Sequence, residues 1–172
     1  MILDFEKLFL MALVIFWVIW VGGGSLSESK ASGFSELGHS FLKGRVDFET
    51  IPDNEVDVVY FKGKKYWPLG IVPAVMTVPV VLVGEGLDLD LHQGYVQFVL
   101  VMGLAWLSWY SGRLFGLGAK DATWMMLAFM TASVMLQVIL LASSWYFAQV
   151  TATFFGVLGV VLAIKKKWGL SG

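Results

Sequence analysis

The chain has 172 residues, 58% of them hydrophobic and 15% charged, with a mean hydropathy of +0.75. A soluble domain of this length is nearer half apolar and about a quarter charged, so the surplus apolar surface has to face lipid. Twelve basic against thirteen acidic side chains leave a net charge of −1, which excludes a basic face for nucleic acid. The lack of cysteine excludes a disulfide framework, a thiolate zinc site and a cysteine nucleophile.

The first apolar run, Leu8–Gly24, follows Asp4, Glu6 and Lys7 rather than a basic n-region. Val21-Gly22-Gly23-Gly24-Ser25 also makes a poor cleavage site, so the run reads as a retained anchor. In the polar stretch that follows, Phe34, Leu37, Phe41 and Leu42 repeat at helical spacing, with Glu36, His39, Ser40 and Lys43 opposite. This predicts a short amphipathic helix along the membrane surface, ended by Gly44. Val58-Val59-Tyr60-Phe61 and Lys65-Tyr66-Trp67 flank Lys62-Gly63-Lys64, the pattern of a small β-hairpin.

Trp67–Val83 is 17 residues long and holds Pro68, Pro73 and Pro79. Proline removes a backbone donor and disturbs the preceding turn, so this stretch is expected to be a broken helix, re-entrant or interfacial. Tyr95–Tyr110, extended by Gln93-Gly94 and Ser111-Gly112, is the second candidate span; Thr123–Ala142 and Trp145–Ile164 each supply 20 uncharged residues. Gln137 and Gln149 are expected to pack between helices. The spans carry no ionisable residue to line a path, which argues against a channel or transporter.

Basic flanks give the sidedness. Lys165-Lys166-Lys167 directly follows the last run and marks the C-terminus as cytoplasmic; counting back places Arg113 and Lys120 inside as well. The expected fold is therefore an all-α integral membrane protein of about four spans: an anchor at 1–24, an external loop at 25–94, and a three-helix segment at 95–172. Both termini are cytoplasmic, and the cell membrane is the expected location.

Two segments then resemble a known family. His39-Ser40-Phe41-Leu42-Lys43-Gly44-Arg45-Val46-Asp47-Phe48 resembles a pattern of the GT-C superfamily of membrane glycosyltransferases. There, in the protein mannosyltransferases and aminoarabinose transferases, a surface helix ends in Ser-Leu-Leu-x-Gly-Arg-Leu-Asp-Leu. Asp57 to Pro68, running on to Pro73-Ala74, is similar to the Asp-x-x-x-Tyr-x-Gly-Lys-Tyr-Tyr pattern that follows in those proteins, and Ser144 to Val150 is a weaker match. The matches correspond to the first half of such an enzyme, whose relatives continue into further spans.

The resemblance implies transfer of a sugar from a polyprenyl-phosphate carrier to an acceptor at the outer face. It implies a carboxylate base just after the first span, for which Glu28 in Ser27-Glu28-Ser29-Lys30 holds the nearest place. It also implies substrate contacts from Arg45, Asp47, Lys64, Lys65 and Tyr66. Some relatives use a divalent metal ion, and the missing half would be a second membrane segment or subunit. Bland alternatives stay open: Arg45 and Asp47 can pair with each other, Lys64 and Lys65 can solvate a hairpin, and Glu28 and His39 can be solvated. A non-catalytic module binding polyprenyl lipid or a partner membrane protein is the rival function.

Overall fold

The computed structural model describes residues 5–27, 32–49, 57–132 and 134–166. Seven helices and one two-stranded ribbon make up the described residues. Helix α1 (Phe5–Ser25) and the last helix, α7 (Ser144–Ile164), are each 21 residues long and apolar enough to cross a membrane. Their outward rows, Phe9, Phe16 and Trp20 on α1 and Phe155 and Val160 on α7, are exposed.

Helix α2 (Gly33–Leu42) forms where the amphipathic pattern places it. It is not a helix lying free on a surface, because Phe34 and Leu37 are buried and so is Ser40 on the expected polar side. Its closest neighbour is α3 (Val72–Leu87): a Cβ on Gly38 would stand 2.6 Å from Thr77 Oγ1. Thr77 Oγ1 donates to Phe34 O at 3.0 Å across this contact. The expected break in the proline-rich stretch does not occur. Pro73 sits in the first turn, where a missing N–H costs nothing. Pro79 lies inside the helix, which continues because Ala74, Thr77, Val81 and Gly84 are buried along it.

The hairpin forms where expected, with β1 (Val59–Phe61) antiparallel to β2 (Lys64–Tyr66), but Lys64 belongs to the strand rather than to the turn. Lys62 and Gly63 both take positive φ, +48° and +73°, as a two-residue type I′ turn requires.

Helix α4 (Gln93–Leu114) covers the Tyr95–Tyr110 run and spans about 33 Å. The Thr123–Ala142 run, by contrast, is not one helix. It divides into α5 (Ala119–Thr131) and a short α6 (Met135–Leu140), after which Leu141 is extended. The end of α6 is held from α4. Gln97 Nε2 donates to the carbonyls of Val138, Ile139 and Leu141 at 3.0–3.3 Å. Gln93 Nε2 donates to Ala142 O, and Ser25 Oγ donates to Ile139 O at 2.7 Å. Carbonyls released by ending a helix in apolar surroundings need such donors.

Lys120 pairs with Glu6, Lys165 lies 4.8 Å over the Tyr110 ring, and Arg113 lies over Trp109, so these cations gather at one end. At the other end Phe34 meets Trp67 and Phe147 edge-on at 5.5 and 5.7 Å, and Trp67 meets Phe48 at 5.8 Å. This aromatic chain fastens α2 and the hairpin to α7.

Gln97→Leu strips Val138 O and Leu141 O of their side-chain donor, leaves Ile139 O with Ser25 alone, and should destabilise the protein by about 1–3 kcal/mol. Gln149→Leu, at an exposed position, should change it by less than about 0.5 kcal/mol. Thermal unfolding in detergent micelles measures both.

Candidate functional site

The site begins at the end of α2. Gly44 takes φ +68°, its N–H donates to Phe41 O, and Arg45 N–H donates to Ser40 O at 2.9 Å. These two bonds are a Schellman motif, which turns the chain sharply out of the helix. Three residues on, Phe48 N–H donates to Lys65 O at 2.8 Å and lays the chain against the hairpin. Asp47 is thereby enclosed, its side chain 4% exposed, between Arg45 and Lys64.

Arg45 Nη2 donates to Asp47 Oδ2 at 2.7 Å, and Lys64 Nζ donates to Oδ1 at 3.2 Å. The Arg45 hydrogen bond holds the Asp47 carboxyl below its ordinary range; burial opposes this and Lys64 adds to it. The same bond pushes the Arg45 guanidinium up. Beside them Lys43 pairs with Glu49, whose other oxygen lies 3.9 Å from Arg45 Nη1. Glu49 is lowered, chiefly by its bond from Lys43. The result is a continuous row from Lys43 through Glu49, Arg45 and Asp47 to Lys64.

Arg45 and Lys64 keep 40% and 56% of their side chains exposed, so donor N–H groups remain for an incoming anion while Asp47 fixes both cations from behind. Of the expected substrate contacts, the structure brings together Arg45, Asp47 and Lys64. Lys65 stands on the other face of the ribbon, 5.8 Å over the ring of its cross-strand neighbour Tyr60. Tyr66 is half-buried, its ring 6.5 Å from Phe61. Glu28 lies outside the described residues.

Sequence reasoning did not find a second constellation. His39 Nδ1 lies 2.7 Å from Glu85 Oε1 on α3, at the edge of a cleft of about 370 Å³. Glu85, Asp88 and Asp90 supply its acidic lining, and Val81, Gly84 and Leu91 its walls. Glu36 nearby is raised, first by burial and then by Asp90, against His39 and Lys43. No local signal marks the His39–Glu85 pair, since its partners are forty-six residues apart.

Among the described residues no group of three or more histidines or carboxylates stands close enough to hold a metal ion. Asp47 and Glu49 are each taken up by cations, so this site does not fit a divalent ion. Comparison with protein-family models, with curated proteins and with solved structures finds no match.

Because its folded carboxyl is lowered, Asp47 contributes stability that is present above its ordinary value of 3.8 and lost as pH falls through the folded value. Thermal midpoints taken across the acid range below pH 3.8 should fall for the wild type. They should fall less steeply for Asp47→Asn, which should start from a lower midpoint at neutral pH.

Proposed function

We propose that this chain is the N-terminal, membrane-embedded part of a glycosyltransferase. In this reading it moves a sugar from a polyprenyl-phosphate carrier to an acceptor at the outer face of the cell membrane. One observation carries the reading. The two segments that resemble the GT-C superfamily fold directly onto each other, Asp47 against Lys64 and Phe48 N–H on Lys65 O. Arg45 and Lys64 then receive the carrier phosphate, and Asp47 holds them in place. Lys65 and Tyr66 stand on the same strand as Lys64, and Glu28 remains the proposed carboxylate base.

In the proposed topology α1, α4, α5 with α6, and α7 cross the membrane, both termini are cytoplasmic, and residues 25–94 are external. The gathering of Arg113, Lys120 and Lys165 at one end supports it. The chain's lack of cysteine gives a clean background for labelling. Single cysteines at Ser27 and Gly86 should react with an impermeant reagent in intact cells, and a cysteine at Phe115 should not. Protection at Gly86 would place α3 across the bilayer and refute this topology.

A specific observation favours a second reading, a non-catalytic module for polyprenyl lipid or a partner membrane protein. The exposed rows Phe9, Phe16 and Trp20 on α1 and Phe155 and Val160 on α7 leave apolar surface for lipid, a partner subunit or a C-terminal half. Vesicles carrying the protein and a labelled polyprenyl-phosphate sugar separate the two. Arg45→Ala and Lys64→Ala should each weaken retention of the carrier by about tenfold. Transfer to an added acceptor supports the transferase, saturable retention without transfer supports the module, and neither removes both.

A further inference from the structure

We propose that a groove between the first turns of α1 and α5 seats one anionic phospholipid of the cytoplasmic leaflet, with an acyl chain along α1 and the phosphate on Lys7 and Lys120. The inference rests on the membrane topology proposed above and not on the transferase reading.

The groove follows from how α1 packs. Its buried residues, Trp17, Val21 and Ser25, all lie in its second half. There glycines let the backbones close up. A Cβ on Gly24 would stand 2.5 Å from Leu140 O, and one on Gly94 would stand 2.0 Å from Ser25 O. One end of α1 is thereby pinned to α6 and α4. The first half carries Leu10, Met11 and Val14, none of them buried, and here α1 stands away from α5. The space left is about 440 Å³, walled by these three side chains and by Ala119 and Thr123 on α5. Leu10, Met11 and Val14 share one face at spacings of three and four, so the wall along α1 is continuously apolar. Thr123 turns its hydroxyl to Ala119 O at 2.9 Å and so adds little polarity.

At the helix ends the same groove is charged. Glu6 and Lys7 line it from α1 and Lys120 from α5, and Lys120 pairs with Glu6 across it. Two cations against one anion leave this mouth net positive, and Arg113 and Lys165 stand at the same end of the protein. An ammonium has three donors, so pairing with Glu6 still leaves Lys120 others for a phosphate oxygen. The proposed topology sets this end at the cytoplasmic leaflet, where anionic lipids are enriched. A groove that is apolar along the helices and cationic at headgroup depth matches such a lipid from tail to phosphate.

A partner helix suits the groove less well. Two turns of helix, 10–12 Å across, fill about 1,000 Å³. A helix running on to the headgroups would also have to part Glu6 from Lys120, whereas an acyl chain stops short of that pair.

The test uses the full natural chain purified in detergent, titrated with phosphatidylglycerol or phosphatidylcholine and weighed by native mass spectrometry. The wild type should hold one phosphatidylglycerol per chain, about tenfold tighter than phosphatidylcholine. Lys7→Gln and Lys120→Gln should each weaken that retention by about fivefold, and together they should remove the preference. Val14→Trp fills the groove and should abolish the bound lipid. Ile19→Trp, at an exposed position on the same helix, should keep it, and both variants should match the wild-type thermal midpoint without lipid. Equal binding of the two lipids, a preference that survives loss of both lysines, or a lipid that survives Val14→Trp would each overturn the lipid seat and leave the topology standing. A protein chain that copurifies in equimolar amount until Val14→Trp expels it would overturn it too, giving the groove to a partner helix. Release of the wild type from membranes by an alkaline wash would remove the topology and the lipid seat together.

Discussion

Two primary amides hold this structure together. Gln93 and Gln97 lie one turn apart on α4, fully buried, and their Nε2 groups meet the carbonyls left over where α6 ends and α7 has not begun. Without them the stretch from Val138 to Ala142 would present a row of unsatisfied acceptors to apolar surroundings. With them, the break becomes a fixed socket. Ser25 at the end of α1 enters it through Ile139 O, and Ser144 at the start of α7 accepts from Gly33 N–H at 3.0 Å. Gln93 reaches the other way too, its N–H donating to Ser35 Oγ at 2.7 Å and its Oε1 accepting from Phe34 N–H. The apolar helices and the lobe of α2, α3 and hairpin are thus fastened at one place.

That fastening explains why a charge cluster can sit where it does. Asp47 is enclosed because the Schellman turn after α2 and the Phe48–Lys65 bond fix the chain on both sides of it. Its neighbours are anchored in turn by Phe34 and Trp67. A buried carboxylate between two half-exposed cations acts as an internal counterion. It keeps Arg45 and Lys64 pointed while leaving their outer donors to solvent.

What the sequence revealed and what it hid follow from the range of the interactions. The apolar runs at α1, α4 and α7 are visible because length and composition are local properties. The hairpin is visible because Lys62-Gly63 suits a tight turn whatever surrounds it. Gly44 ended α2 as expected for the same reason. The end of α6 short of Ala142 is invisible, since the donors that hold it are a pair of glutamines more than forty residues upstream. Pro79 misled in the opposite sense, its local penalty being overridden by burial of α3 along α2. Ser40 looked polar-facing by periodicity, yet it is buried and accepts from Glu49 N–H at 3.3 Å. At the site, Arg45 and Asp47 were legible as neighbours two apart, whereas Lys64 and Lys65, expected together, are parted by the alternation along β2. The His39–Glu85 contact needed the pairing of α2 with α3, which no pattern in either helix announces.

The socket around the glutamines also sets an order of events during synthesis. α4 leaves the ribosome well before α6, and at that moment its two amides have no carbonyls to meet. A helix with two bare amides enters lipid reluctantly and prefers to wait beside other protein. Under the proposed topology α4 therefore settles together with α5 and α6 rather than ahead of them. Ser25 has a longer wait, 114 residues, for Ile139. The lobe of α2, α3 and hairpin emerges early, and its bond from Gly33 N–H to Ser144 Oγ waits 111 residues.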